Sequence, residues 1–414
     1  MKKRIFSWPS FLLGAMTAIV LAAGALLLGF LFPGETAERP DSLASLRKIV
    51  EMEMVIRQKY LDSPDEQKQT DAMMAGLISG LEDPYAAYYT RDEYEKIRLS
   101  HKGYTQGIGV TIRQEEDGAL TVNSVMEGYP AEKAGIQAGD VLLEINGTDL
   151  DGLTPADASD LIQKSEGESV TLRIRRGTGG KQEELTITVE KGELEITSAA
   201  GGMLCDLVSG KQLKALQEIA PAAEEDISPE TIGYIAISRF NGTTPSQFAD
   251  LYASLQEEGM RALIIDLRDN LGGMVEGCCD TLRQILPKGV IVYESDRTGP
   301  ERTRECDGET PIDIPLVLLV NGSTASASEI FAGAVQDYGI GKIVGTQTYG
   351  KGVEQNSYTL YDGSVIKMTT THYYTPLHAD INEIGITPDA AVSQSEEDET
   401  DRQLEKAVEL LQDS

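Results

Sequence analysis

Residues 314–321 read IPLVLLVN and run directly into GSTASASEIFAGAVQDYG, residues 322–339. The first stretch is short and continuously apolar, which predicts a buried β-strand, and the second continues in the periodicity of a helix. A strand, a tight turn of small residues and a helix can present a serine hydroxyl at the edge of a sheet. Taken alone, the turn is more typical of a helix N-cap, and its geometry does not choose among Ser323, Ser326 and Ser328.

The same alternation of strands and helices extends over residues 232–392 and predicts an α/β domain with a mainly parallel sheet. Two further loops follow apolar strands, DLRDNLGG at residues 266–273 and TYGKG at residues 348–352. A neutral lysine can serve as the base for a serine nucleophile. Lys351 lies between two glycines that let the backbone fold closely around it, and Gln355 could hydrogen-bond its amine. GKG alone is also compatible with an ordinary surface turn.

The N-terminus has the pattern of a membrane anchor. Residues 11–32 contain no charged side chain and are long enough to cross a bilayer as a helix. The positive charges of residues 2–4 predict that residues 1–10 stay in the cytoplasm, with residues 33–41 as a polar linker outside. We therefore expect a single-pass cell-membrane protein with an extracytoplasmic functional region. A cleaved signal peptide, which would give a secreted protein, is the alternative.

The overall composition limits the ligands that the chain could bind. A net charge of −31 argues against nucleic acid as a partner, because phosphate binding needs a basic face. The four cysteines show no CxxC spacing that would indicate zinc, and are interpreted as buried thiols or one incidental disulfide.

The predicted segments are a helical region at 42–102, a β-rich domain at 103–192, a connecting or inserted segment at 193–231 and an acidic helix at 393–414.

The β-rich domain resembles a bacterial PDZ domain. The resemblance rests on GIGV (107–110), PAEKAGI (130–136) and GDVLLEING (139–147). A loop such as GIGV can hold a terminal carboxylate on its backbone amides, and the adjoining strand edge can accept an extended peptide. The residues expected to bind a substrate C-terminus are Gly107, Ile108, Gly109 and Val110.

Together, the loops resemble those of the carboxyl-terminal processing proteases, also called tail-specific proteases. The motifs are DLRDNLGG, STASASEIFAGAVQDYG and TYGKGVEQ, together with LEDPY (81–85), YYTP and GITPD (385–389). The resemblance implies a helical segment and a PDZ domain joined to a Ser-Lys protease core that needs no cofactor or metal. The roles it implies are Ser326 as nucleophile, Lys351 as general base, Gln355 as its support, and the amides of Ala327 and of Gly272 or Gly273 as the oxyanion hole.

The resemblance also implies a function. We expect an endopeptidase that cleaves protein substrates near accessible C-terminal tails, with the PDZ domain recruiting the tail and gating the protease. Arg176, with Arg175 close behind, is the candidate that senses the bound peptide, and the N-terminal helices could form a homodimer. A catalytically inert PDZ scaffold is the alternative. A trypsin-like protease is disfavoured because the chain has no GNSGG and its core has an α/β pattern.

Overall fold

A computed structural model describes most of the chain beyond the N-terminus. The predicted cytoplasmic segment, membrane anchor and linker, residues 1–41, lie outside the described residues. Within the described ranges, no helix is both long enough and apolar enough to cross a bilayer. The described chain divides into two compact units, with the boundary after Thr70. The described residues are 42–115, 117–165, 167–177, 182–220, 227–395 and 397–413.

The segment before the PDZ-like region is largely helical, as its periodicity indicates. Helix α1 (Ser42–Lys59) belongs to the first unit, and α2 (Glu66–Ser79) crosses into the second. The LEDPY turn leads into the short strand β1 (Ala87–Tyr89). Helix α3 (Arg91–His101) follows, and it begins with a reciprocal capping box between Thr90 and Glu93.

The PDZ-like region is a β-domain with two short helices packed on it. Its antiparallel sheet has the order β3-β4-β5-β7-β8, with β6 paired to β5, while β2 and β9 form a separate pair. Alternating apolar residues such as Val122, Leu142 and Leu172 face one buried core. The elements are β2 (Tyr104–Gly107), β3 (Val110–Gln114), β4 (Leu120–Val125), α4 (Pro130–Lys133), β5 (Val141–Ile145), β6 (Thr148–Asp149), α5 (Pro155–Lys164), β7 (Ser169–Arg176), β8 (Glu183–Glu190) and β9 (Gly192–Glu195).

The protease-like region is built around a six-stranded mixed sheet. Its order is β10-β11-β12-β15-β16-β19, in which β10 is antiparallel to β11 and the other four pairings are parallel. Strands β12 and β15 are buried throughout, as expected when helices cover both faces of a parallel sheet. The strands are β10 (Ala199–Met203), β11 (Ile232–Ile237), β12 (Ala262–Asp266), β15 (Leu316–Val320), β16 (Lys342–Gly345) and β19 (Ala390–Ala391).

Helices cover both faces of this sheet. One face carries α8 (Thr244–Glu257), α9 (Val275–Leu282) and α10 (Ala327–Tyr338) over an apolar core. The other face carries α7 (Gly210–Ile219) and the C-terminal α11 (Arg402–Gln412) over a second core. The segment read as a connection therefore contributes β10, the short helix α6 (Leu204–Leu207) and α7 to the protease-like region.

The prediction of a mainly parallel sheet holds only in part, because the region contains a second sheet that is antiparallel throughout. The apolar run at residues 290–294, which lies within the α/β alternation predicted over residues 232–392, forms a strand of this second sheet. The sheet was missed because two of its longest strands are only half-buried and rich in threonine and other polar residues. Its strands are β1, β13 (Gly289–Asp296), β14 (Arg302–Cys306), β17 (Val353–Thr359) and β18 (Val365–Tyr374).

All four cysteines are described, and all are unpaired. Cys278 and Cys279, which belong to α9, and Cys306, which ends β14, are buried in one core, and Cys205 is half-buried. The incidental disulfide that the sequence left open is therefore not formed.

Candidate active site

Ser326 lies in a strained turn between β15 and α10. Its backbone angles are φ 58° and ψ −118°, a combination that a residue other than glycine rarely adopts. Strain of this kind persists only where the surrounding structure enforces it, and it is concentrated at functional sites. The turn is held by the hydroxyl of Thr324, which donates to the Leu267 carbonyl at 2.8 Å. The strand, strained turn and helix form the arrangement that exposes a nucleophile at a sheet edge.

The other two serines of the stretch have structural contacts. Ser328 is fully buried, and its hydroxyl donates to the Asn270 carbonyl at 3.1 Å. The amide of Ser323 donates to the Asn321 side chain at 3.0 Å, within the turn. Ser326 thus differs from both by its positive-φ backbone conformation and by its place at the N-cap of α10.

The DLRDNLGG loop packs directly against Ser326. A Cβ on Gly272 would lie 2.9 Å from the Ser326 Cβ and 3.0 Å from the Ala327 nitrogen, so only glycine fits there. The Gly272 amide, however, already donates to the Asn270 side chain at 2.9 Å. The amides of Ala327 and Gly273 have no acceptor among the described residues. Of the alternatives predicted for the oxyanion hole, this leaves Ala327 and Gly273 as the available donors.

The backbone folds tightly around Lys351, as the flanking glycines suggest. A Cβ on Gly352 would lie 2.5 Å from the Asn382 nitrogen, and Gly350 has a φ of +89°. Burial lowers the pKa of Lys351 from its usual value, and the nearby Lys367 ammonium lowers it further. A depressed pKa increases the neutral fraction of the amine, which a lysine base requires.

Glu329 joins the serine turn to the lysine loop, a role that was not evident from the sequence. Its side chain is fully buried, and one carboxylate oxygen accepts from the amides of Ser326 and Lys351, each at 2.8 Å. The other oxygen accepts from the Thr348 hydroxyl at 2.6 Å and the Gly350 amide at 2.7 Å. Such bonds offset the cost of burying a carboxylate. The sequence signal was the S-x-x-E spacing of a capping box.

Tyr373 was also missed, although it belongs to the YYTP motif. It is almost fully buried, and burial raises the pKa of its phenol well above the usual value. The Ser326 side chain is a hydrogen-bonding neighbour that acts in the opposite direction on this pKa. The motif therefore places a buried hydroxyl beside the candidate nucleophile.

Two expected contacts do not form among the described residues. The Gln355 side chain donates to the Thr369 hydroxyl at 3.1 Å, across the β17–β18 pair, and makes no hydrogen bond to Lys351. No hydrogen bond joins Lys351 to Ser326 in this structure. The three histidines likewise make no hydrogen bond to Ser326, and the exposed His378 pairs with Glu301 at 2.9 Å.

In the PDZ domain, the GIGV loop runs between β2 and β3. Gly109 has a φ of +82°, and a Cβ there would lie 2.5 Å from the Tyr129 Cβ. The loop is anchored by the Ile108 carbonyl, which accepts from the Ala131 amide at 2.8 Å. This anchoring fixes the path of the backbone that was predicted to receive a peptide carboxylate.

Arg176, the candidate peptide sensor, has partners inside the PDZ domain. Its guanidinium binds Asp140 through two hydrogen bonds of 2.7 Å and also donates to the Gly135 carbonyl at 2.7 Å. Asp140 is only 1% exposed, so the pair is a structural contact of the domain. By contrast, the Nε of Arg175 is buried and has no acceptor among the described residues.

Two family models match separate regions of this chain. The model of peptidase family S41 matches residues 231–392, and a PDZ-domain model matches residues 121–176. The solved structure of a photosystem II D1 C-terminal processing protease has a TM-score of 0.48 and 27% identity, and the match covers 83% of this chain and 86% of that one.

Two cyanobacterial relatives cover most of the chain. The carboxyl-terminal-processing protease of Synechocystis sp. is 32% identical over 342 residues, which is 82% of this chain and 75% of the relative. The protein of the same name from Picosynechococcus sp. is 32% identical over 365 residues, 86% of this chain and 83% of the relative. The chain therefore belongs to the carboxyl-terminal-processing proteases and is a serine peptidase with a PDZ domain beside a family S41 core.

Proposed function

We propose that this peptidase cleaves proteins near their C-terminal tails, with Ser326 as nucleophile and Lys351 as general base. The observation that carries the proposal is the convergence of three loops on Ser326. Its strained turn lies against the DLRDNLGG loop and is tied through Glu329 to the loop that holds Lys351. An inert scaffold would need neither the backbone strain nor a half-buried lysine with a lowered pKa.

The reaction follows from these groups. The neutral Lys351 amine takes the proton from the Ser326 hydroxyl as its oxygen attacks the scissile carbonyl. The resulting oxyanion is stabilised by the amides of Ala327 and Gly273. When the C–N bond breaks, the Lys351 ammonium returns its proton to the leaving amine. Lys351 then activates the water that hydrolyses the acyl-enzyme.

Replacement of the two central residues tests this assignment. Ser326→Ala and Lys351→Ala should each abolish cleavage of a protein with an unstructured C-terminal tail, while the melting temperature stays near that of the wild type. Ser323→Ala is the matched control within the same turn and should still cleave. A serine-reactive probe should label Ser326 in the wild type. Continued cleavage by Ser326→Ala would refute the nucleophile, and an unlabelled, inactive wild type would favour the inert scaffold.

The PDZ domain is proposed to recruit substrate through the free carboxylate of its tail. The anchored GIGV loop at residues 107–110 and the edge of β3 support this role. Peptide binding can be measured by fluorescence anisotropy with the Ser326→Ala protein. A tail peptide with a free carboxylate should bind, and its amidated form should bind much more weakly. Equal affinity for the two peptides would exclude carboxylate recognition.

Gating by the PDZ domain is a further part of the proposal, and Arg175 suits it better than Arg176. Because Arg176 neutralises the buried Asp140, its removal would unfold or loosen the PDZ domain and confuse the test. Arg175→Met keeps the apolar stem and should reduce stimulation of cleavage by a non-cleavable tail peptide. Arg98→Met, on an exposed ion pair of α3 outside the PDZ domain, is the control. If the tail peptide stimulates cleavage by Arg175→Met as strongly as by the wild type, Arg175 has no part in gating.

Membrane anchoring through residues 11–32 remains a proposal supported by their length and lack of charge. Fractionation of cells should leave the protein in the membrane after an alkaline carbonate wash, with its C-terminal region accessible to protease added outside. Release of a shortened, soluble chain would instead support signal-peptide cleavage and secretion.

We also propose that α1 pairs with α1 of a second copy. Leu46, Val50 and Val55 on this helix are each more than half exposed, which a solvated helix does not require. Sedimentation of the wild type should show a dimer, and Leu46→Glu combined with Val50→Glu should shift it to the monomer. A wild type that sediments as a monomer at all concentrations would refute the pairing.

A further inference from the structure

The LEDPY turn brings an aromatic ring to the side chain of Lys351. The Lys351 Nζ lies 4.0 Å from the centroid of the Tyr85 ring. A cation within about 6 Å of the centroid is attracted by the negative face of the ring. Tyr85 comes from a segment far from both the serine turn and the lysine loop, so the fold, and not local sequence, creates this contact.

The ring is held in place by a rigid turn. One oxygen of Asp83 accepts from the Tyr85 amide at 2.9 Å, and the other accepts from the Thr369 amide at 3.0 Å. Strand β1, which follows the turn, pairs with β18. Strand β17, which begins two residues after Lys351, pairs with the same β18. Tyr85 and Lys351 therefore each lie next to a strand of the same sheet, and the hydrogen bonds of that sheet fix the distance between them.

The surroundings of Lys351 act on its pKa in two directions, and the lowering influences are the larger. Burial and the Lys367 ammonium lower its pKa, whereas the carboxylates of Asp83 and Glu329 raise it. The hydroxyl of Tyr349 is a neighbour of Tyr85, so a second phenol also lies at this edge of the site. The Tyr85 ring acts together with the carboxylates, because a ring face attracts an ammonium but not a neutral amine.

We propose that Tyr85 is a positioning residue for Lys351, holding its ammonium on the ring and releasing the neutral amine toward Ser326. The inference rests on the proposed role of Lys351 as the base. It explains why Lys351 contacts the ring and makes no hydrogen bond to Ser326 in this structure. After taking the Ser326 proton, the ammonium regains the attraction of the ring until it donates that proton to the leaving amine.

The proposal predicts a displaced pH profile when the ring is removed. In Tyr85→Leu the ammonium loses its attraction, so the pKa of Lys351 falls. The acidic limb of kcat/KM should then move to lower pH by about one unit. The plateau kcat should fall several-fold, because the amine is no longer positioned. Tyr85→Phe keeps the ring face and should keep the wild-type pH profile. Tyr361→Leu, at a fully exposed tyrosine, is the control for tyrosine removal.

A direct titration separates this inference from the proposed function. The full chain with Ser326→Ala can be reductively methylated with ¹³C-formaldehyde, and the Lys351 signal assigned by comparison with Lys351→Arg. Its pKa should fall in Tyr85→Leu and stay unchanged in Tyr85→Phe, whether or not lysine acts in catalysis.

The outcomes are distinct. A parallel shift of the titration and of the acidic limb supports the proposal. If neither shifts while Lys351→Ala is inactive, Tyr85 has no positioning role and the proposed function stands. If the Lys351 titration shifts but the acidic limb of kcat/KM does not, the limb reports a group other than Lys351. Lys351 is then not the base seen in the pH profile, and the positioning proposal is refuted. A pH profile of Tyr85→Phe that matches the pH profile of Tyr85→Leu would also refute the proposal, because the aromatic ring would then be irrelevant.

Discussion

The carboxylate of Glu329 is fully buried and accepts hydrogen bonds from two segments, the serine turn and the lysine loop. Each bond to a charged acceptor contributes more than a neutral one, and loss of the charge would leave several buried donors poorly satisfied. The position of Lys351 relative to Ser326 therefore depends on a residue that we expect to make no contact with the scissile bond.

Glu329→Gln should lower kcat about 100-fold with little change in KM. An amide group has only one acceptor oxygen and places an NH₂ group against donors, so one of the two segments loses its partner. Steady-state kinetics on a tail substrate measure the effect. Glu301→Gln, at an exposed residue that pairs with His378, is the matched control and should cleave normally. A wild-type kcat in Glu329→Gln would show that Glu329 does not align Lys351 with Ser326.

The sequence allowed the prediction of which loops converge, but not of how single residues bond within them. The serine cluster and Lys351 each follow an apolar strand in a turn of small residues, which is a local signal, whereas the choice of Ser326 among the three serines came from the resemblance to the family. The bonds of Glu329 reach Thr348 and Lys351, 19 and 22 residues further along the chain, and only the folded sheet brings them together. For the same reason the sequence did not show that Arg176 binds Asp140, which lies 36 residues away.

At the scale of elements, the lysine loop owes its shape to close backbone packing. Gly352 lies against the Asn382 backbone, and Gly350 has a positive φ near the Ile384 nitrogen. A loop fixed by backbone contacts on one side and by Glu329 on the other leaves little freedom in the Lys351 backbone. In the proposed reaction, the Lys351 side chain can therefore move toward Ser326 without a change in its backbone.

Gly352→Ala should therefore displace the lysine loop. The added Cβ would lie 2.5 Å from the Asn382 nitrogen, and the backbone must shift to accept it. We expect a loss of cleavage of tenfold or more, together with a lower melting temperature. Gly76→Ala is the control, because the helical Gly76 has no neighbour within 4 Å of an added Cβ and alanine favours helices. Equal activity of the two variants would contradict the tight packing of the loop.

Whether a segment forms a strand or a helix was most predictable where its residues are buried on one face or on all sides. Strands β12 and β15 are continuous apolar runs, and their parallel pairing follows from the helices between them. Strands β17 and β18 carry polar residues on partly exposed faces, and a polar run of this kind is hard to distinguish from a loop by periodicity. The second sheet, which carries the segment following Lys351, was therefore found only in the structure.

At the scale of the whole molecule, the central sheet depends on helices that come from distant parts of the chain. Helix α11 covers one face with Leu404, Val408 and Leu411, all buried. Arg268, from the loop that also carries Gly273, pairs with Asp401 at 2.7 Å, immediately before this helix. The C-terminal helix thus supports both the sheet and the loop that is proposed to bind the oxyanion.

Leu404→Ala should lower the free energy of unfolding by about 2–5 kcal/mol, the usual cost of removing a buried leucine side chain. Urea unfolding followed by circular dichroism measures it. Glu409→Ala, at an exposed position of the same helix, should change stability by less than about 0.5 kcal/mol. A cost for Leu404→Ala as small as that of the control would mean that α11 is not part of the cooperative core.

The two buried thiols of α9 have a consequence for the protein's response to oxidants. Oxidants attack the thiolate form of cysteine, and burial raises the pKa of Cys279 to about 12 and that of Cys278 well above its usual value. These sulfurs stay protonated and out of reach of solvent at neutral pH. Burial and protonation together therefore protect these two thiols from oxidation, whether the surroundings are reducing or oxidising.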